Sequence, residues 1–171
     1  MRETIELDFV IKGYPGTGRR VEAESDLSQV YRPDLLQGAF MGDAVMLFGN
    51  TDLSPRFGWV TLIDWCLRLS GAVAELKVTD EKTVRFSESD DFISFRRSEE
   101  KLHVSTSYEP GTVTVPFDAF VDSVRDFVES RLDWIAANFP DAMRNPAMPD
   151  VLSRIGQAFP PRTDDSDGGR A

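Results

Sequence analysis

Four short runs rich in β-branched and aromatic residues follow one another between residues 77 and 117, and they constrain the fold more than any other feature. They read TVRFSE, FISFRR, KLHVSTSYE and GTVTVPF, and only charged or turn-forming clusters separate them, at residues 89–91, 98–100 and 109–111. Parallel strands would need crossovers of about a dozen residues, for which there is no room. The spacing therefore predicts an antiparallel meander.

Two long amphipathic helices are predicted on either side of this meander. Residues 56–76 carry apolar side chains at three- and four-residue steps, beginning with Trp59, and residues 118–139 repeat the pattern. Asp118 is placed to cap the second helix and Pro140 to stop it. Residues 150–159 predict a shorter helix.

The segment before the first helix contains a sequence similar to a phosphate-binding loop, GYPGTGRR, at residues 13–20. A working loop needs a Lys and then a Ser or Thr after its last glycine, followed directly by a helix. Here Arg19 and Arg20 occupy those positions, and residues 19–24 alternate with the period of a strand. We therefore predict a hairpin between strands at residues 5–11 and 19–24, with the glycines at its tip.

The order of these elements predicts an α+β fold, with helices packed on one face of a mainly antiparallel sheet. Apolar residues make up 41% of the 171 positions, which is enough for a substantial core. We expect a single domain over residues 1–159 and a disordered tail over residues 160–171.

Charge and targeting signals narrow the function. The formal net charge is −10, which disfavours direct nucleic-acid binding and suits a basic protein partner. No apolar run is long enough to cross a membrane, and the first residues lack the apolar region of a secretory signal. With a single cysteine, these features predict a cytoplasmic protein.

The sequence offers no recognisable catalytic, cofactor or metal site. His103 is the only histidine and is predicted to face outward from a strand, while Cys66 lies on the apolar stripe of a helix. One His and one Cys do not make an ordinary zinc site. We therefore predict a non-enzymatic protein without a cofactor.

Acidic side chains in the meander turns and on one flank of the second helix predict a binding surface for a basic partner. The helical spacing places Asp133 on the same flank as Asp122, Asp126 and Glu129. The turn of the first hairpin is also predicted to contact a partner. The predicted contact residues are Asp90, Asp91, Glu99, Glu100, Asp122, Asp126, Glu129, Tyr14, Arg19 and Arg20.

The layout of the chain resembles small bacterial immunity-type proteins that neutralise polymorphic or contact-dependent toxins. The resemblance rests on WVTLIDWCLRL, then the meander from VRFSESDDFISFRR to LHVSTSYE, then FDAFVDSVRDFVESRL. It implies an acidic inhibitor that occludes a basic toxin or effector. Two alternatives remain open. One is a small-molecule, lipid-binding or enzymatic domain with a pocket between sheet and helices. The other is a subunit of a larger bacterial assembly that uses a bare sheet edge or the hairpin with Tyr14.

Overall fold

Eight strands and six helices make up the fold in a computed structural model that describes residues 4–161. The strands are β1 (Ile5–Ile11), β2 (Met41–Phe48), β3 (Thr51–Asp52), β4 (Val60–Thr61), β5 (Glu81–Arg85), β6 (Phe92–Ser98), β7 (Lys101–Thr106) and β8 (Thr112–Pro116). The helices are α1 (Val21–Glu24), α2 (Arg32–Gln37), α3 (Leu62–Leu76), α4 (Phe117–Asn138), α5 (Pro140–Met143) and α6 (Met148–Ala158). Residues 162–171, most of the predicted tail, lie outside the described part.

The predicted α+β class is confirmed, and its antiparallel strands form two four-stranded sheets. The second sheet is the predicted meander, with β5, β6, β7 and β8 paired in chain order. In the first sheet β2 is central: β1 pairs along one side, and the short β3 and β4 pair with its two ends on the other side.

The predicted hairpin between residues 5–11 and 19–24 is wrong. The partner of β1 is β2, in a register that places Ile5 opposite Phe48 and Ile11 opposite Gly42. Residues 21–24 form the single helical turn α1. Alternation over so few residues does not distinguish a strand from one helical turn, and the buried member of this turn is the charged Glu22.

The predicted helix over residues 56–76 begins too early. Val60 and Thr61 belong to β4, where they pair with Gly42 and Met41, and α3 starts at Leu62. Trp59, at helical spacing from the true helix, therefore lies in an extended segment. The helix α4 begins at Phe117 after Pro116, so Asp118 lies in its first turn and does not cap it.

The helix α3 is the central element of the core. Ten of its fifteen residues are buried, and it contacts both sheets as well as α2, α4 and α6. The helix α4 also contacts both sheets, through β1, β7 and β8. One cluster of buried apolar side chains connects these layers. None of the helices within residues 4–161 has the length and apolarity needed to cross a membrane.

An aromatic cluster attaches the segment before α3 to the meander. Phe57 stacks on Trp59 with ring centroids 4.9 Å apart and meets Phe86 and Tyr108 edge-on. The Tyr108 hydroxyl donates a hydrogen bond of 3.0 Å to the carbonyl of Leu53. Burial, helped by the nearby Asp91 carboxylate, raises the pKa of this phenol, so it remains a donor at neutral pH.

Candidate functional site

The glycine-rich loop at residues 13–20 uses its backbone amides internally. The Gly13 amide donates to the carbonyl of Met41, and the Tyr14 amide donates to that of Arg19 at 2.8 Å. The amides of Thr17 and Gly18 both donate to the carbonyl of Tyr14. A phosphate-binding loop points such amides at the anion. Four amides of this loop are therefore bonded within the chain, although the hairpin on which the sequence-based rejection of a phosphate site rested is not formed.

The loop is followed by a buried carboxylate that fixes its position. Glu22 accepts hydrogen bonds from the Phe40 amide at 2.9 Å and from the Arg20 guanidinium at 2.8 Å. Its side chain is 1% exposed. Phe40 has a φ of 55°, a left-handed conformation that is uncommon for a bulky residue, and the bond from its amide holds it there. Glu22 thus joins the loop to the start of β2.

The predicted contact residues of the loop have partners within the chain. Arg20 pairs with Glu22, and Arg19 pairs with Glu24 at 2.6 Å on the surface. Tyr14 is 36% exposed. The loop therefore presents one aromatic side chain and neutralised charges to solvent.

The acidic turns of the meander separate into two places. Asp90 and Asp91 lie between β5 and β6, and Asp91 accepts hydrogen bonds from the hydroxyls of Ser89 and Ser107. Glu99 and Glu100 lie between β6 and β7, at the opposite end of the sheet. The Phe117 amide, at the start of α4, donates to the Glu100 carbonyl at 2.7 Å. Only this second turn therefore adjoins the acidic helix.

The helix α4 carries an exposed row of carboxylates, which we call the α4 ridge. It consists of Asp118, Asp122, Asp126, Glu129 and Asp133, all exposed. With about 100° between successive helical residues, the five fall within an arc of about 80°. The sequence predicted four members on one flank, Asp122, Asp126, Glu129 and Asp133, and the structure adds Asp118 to the same row. Within residues 4–161, Asp118, Asp122, Glu129 and Asp133 form no ion pair.

A groove of about 390 Å³ runs beside the ridge, between α4 and the first residues of β1. We call it the edge groove. Residues 4–7 form one wall, and the other is lined by Ser123, Asp126, Phe127 and Ser130. Sequence reasoning missed this groove because it depends on how β1 and α4 come together, which no local pattern encodes.

His103 and Cys66, the single histidine and the single cysteine, both make contacts within the fold. The Nδ1 atom of His103 lies 2.9 Å from the Thr114 hydroxyl, opposite it on the neighbouring strand. Burial raises the pKa of the Cys66 thiol to about 12, which keeps it protonated. In the described part of the chain no three side chains of the metal-ligating types come together.

A second cavity lies where the alternative of a small-molecule site would place one, between α3 and the segment after β5. Trp59, Asp64, Arg68 and Phe86 are among its lining residues, and its volume is about 60 Å³. Arg68 closes one side through an ion pair with Asp64 and a hydrogen bond to the Arg85 carbonyl. Ligand pockets usually measure about 300–1,000 Å³, so this space suits a few water molecules better than a ligand. A more open space of about 470 Å³ lies directly between α3 and β5, with Leu67, Lys82 and Arg85 among its lining residues.

Comparison with known proteins identifies no relative: no protein-family model, no curated protein and no solved structure matches this chain.

Proposed function

We propose that this protein is a non-enzymatic, acidic binding module that inhibits a basic toxin or effector protein by covering its active site, in the manner of immunity-type proteins. The observation that carries the proposal is the α4 ridge, where five exposed carboxylates follow one side of a single helix. The turn with Glu99 and Glu100 extends the acidic surface beyond the first residue of α4.

Physical considerations favour a protein partner for this surface. Like charges spaced four residues apart destabilise a helix, so the repulsion along the ridge is a cost to folding that a binding function would explain. A dense negative surface attracts a positively charged partner over a distance and raises the association rate. Carboxylates can then form charge-assisted hydrogen bonds with its Arg and Lys side chains. A basic active-site cleft that binds nucleic acid or another anionic substrate would be blocked by such a surface.

The proposal is tested with the product of the gene directly upstream of this one. The two proteins are expressed together, host growth is followed, and the affinity of the purified complex is measured at about 50 mM and about 300 mM salt. We expect growth to be rescued and the affinity to fall at the higher salt. Absence of both rescue and complex formation with a toxic upstream product would contradict the proposal.

A matched pair of double variants locates the contact. Asp122→Lys with Glu129→Lys reverses two ridge charges, whereas Glu88→Lys with Glu109→Lys reverses two exposed charges at the far end of the meander sheet. Both change the net charge equally. The ridge variant should bind at least about tenfold more weakly and the control within about twofold of the natural chain. Equal losses would mean that overall charge, and not the ridge, controls binding.

A further inference from the structure

The outer edge of β1 carries backbone groups that do not bond to β2. The Gly49 amide donates to the Thr4 carbonyl at 2.8 Å, and the Lys12 amide donates to the Met41 carbonyl at 2.9 Å. In an antiparallel ladder the bonded residues alternate, so the even-numbered residues of β1 bond to β2. The odd-numbered residues therefore direct their N–H and C=O groups away from the sheet, towards α4.

The helix α4 closes only part of this edge. At Phe9 the outward amide donates to the Asp8 carboxylate at 2.8 Å, and Asp8 forms an ion pair with Arg131 of α4. At Ile5 and Leu7 no such partner exists among the described residues, and both lie on the edge groove. The outward groups of Ile11 likewise have no partner among the described residues, but only Ile5 and Leu7 lie on the edge groove.

The groove has the chemistry of a site for an extended peptide. Phe127 is buried and gives it an apolar floor. The hydroxyls of Ser123 and Ser130 donate back to their own helix, at 2.8 Å and 2.9 Å, which leaves their oxygens able to accept. Glu6 adds a carboxylate to the wall formed by β1. Every one of these polar side chains favours donors and positive charge.

We infer that a basic, extended segment of the partner protein adds as a strand to the edge of β1 at residues 4–7, within the edge groove. This inference rests on the proposed function and specifies how the partner binds. Backbone hydrogen bonds to Ile5 and Leu7 supply the affinity, and basic side chains at alternate positions of the added strand meet Glu6 and the α4 ridge. A second copy of this chain is disfavoured as the occupant because it would bring a second acidic ridge to the same place.

Amide hydrogen exchange tests the inference residue by residue. The isotopically labelled protein is mixed with a capped octapeptide in which Arg alternates with Thr and Val, and exchange is followed by NMR. In the free protein the amides of Ile5 and Leu7 should exchange faster than those of Glu6 and Asp8, which bond to β2. Peptide binding should slow exchange at Ile5 and Leu7 at least about tenfold and leave Glu6 and Asp8 nearly unchanged.

Two N-methylated versions of the octapeptide separate strand addition from attraction between charges. Each lacks the amide hydrogens along one edge of the strand, and both keep every charge. One version should bind at least about tenfold more weakly, because it loses the hydrogen bonds to β1, and the other within about threefold. If both versions bind like the parent peptide, strand addition is wrong.

Three further outcomes would overturn the inference. Binding that the ridge variant weakens, without protection at Ile5 and Leu7, would leave the proposed function standing and remove strand addition. Failure of the octapeptide to bind would also contradict it. Protection of both amides that rises with protein concentration, without peptide, would assign the edge to a second copy.

Discussion

The glycine-rich loop and the outer edge of β1 differ in how they use the backbone. The loop looks like a binding site in sequence, yet its amides bond to carbonyls of its own turn and of β2. The edge of β1 looks like an ordinary strand, yet the outward backbone groups of Ile5 and Leu7 have no partners among residues 4–161. The direction of the backbone donors therefore determines which region can bind a ligand. The identity of the residues that carry these donors does not.

Substitution of Gly13 should have the largest effect on the closed region. A Cβ atom at this position would lie 2.5 Å and 2.7 Å from the carbonyl oxygens of Gly18 and Arg19, and its φ is 79°. Gly13→Ala should therefore lower the free energy of unfolding by about 3–5 kcal/mol, as measured by urea denaturation.

Gly16→Ala is the matched control, because Gly16 has a similar φ of 83° but no atom within 4 Å of the added Cβ. We expect a loss of only about 1 kcal/mol from backbone strain. Equal losses in the two variants would show that the loop is not tightly closed.

Removal of the Glu22 carboxylate should have the next largest effect. Glu22→Ala leaves the Phe40 amide without an acceptor in a buried position. The free energy of unfolding should fall by about 2–3 kcal/mol. Glu24→Ala removes only the surface pair with Arg19, so it should change stability by less than about 1 kcal/mol. If the two variants unfold alike, Glu22 does not hold the loop in place.

Asp8→Ala should lengthen the open part of the β1 edge and should destabilise the protein less than Glu22→Ala. It removes the acceptor of the Phe9 amide and the ion pair with Arg131. We expect stability to fall by about 1 kcal/mol and exchange at Phe9 to approach that of Leu7. Arg32→Ala, which breaks an exposed pair with Asp150, should leave exchange at Phe9 unchanged. Continued protection of Phe9 in Asp8→Ala would show that α4 closes the edge by other means.

Removal of a charge from the α4 ridge should have the smallest effect on stability, and this effect should be an increase. Asp122 lies four residues from both Asp118 and Asp126, so Asp122→Asn relieves like-charge repulsion. Stability should rise by about 0.3 kcal/mol at low salt, whereas binding to a basic partner should weaken. Glu109→Gln, in a loop, should change neither. Weaker stability in Asp122→Asn would mean that the ridge supports the helix and is not there for binding alone.

The meander and the first sheet show which parts of a fold the sequence can predict. Strands β5 to β8 pair with their chain neighbours, so the turns between them carry the topology. Strand β1 pairs with β2 across the whole glycine-rich segment, and Ile5 meets Phe48. No local pattern specifies such a distant partner, and the alternation after Gly18 suggested a nearer one.

The candidate site also has a part that the sequence predicted and a part that it could not predict. Helical periodicity predicted that Asp122, Asp126, Glu129 and Asp133 lie on one flank, because the spacing of residues along a helix determines which face they share. The edge groove could not be predicted, since it requires both the pairing of β1 and the position of α4 across its edge. The acidic turns of the meander were predicted at the ends of the sheet. Because the chain reverses direction at each turn, the turn with Asp90 and Asp91 and the turn with Glu99 and Glu100 lie at opposite ends, and only the second adjoins α4.

The position of α3 between the two sheets determines how the protein unfolds. The two sheets share no strand, yet both pack on this helix, and Cys66 lies on its buried face with no exposed surface. Unfolding of either sheet would expose the apolar surface of α3 on which the other sheet packs. We therefore expect the two sheets to unfold in one cooperative transition. The single thiol then reports that event, because it reacts with an added reagent only when the whole molecule opens.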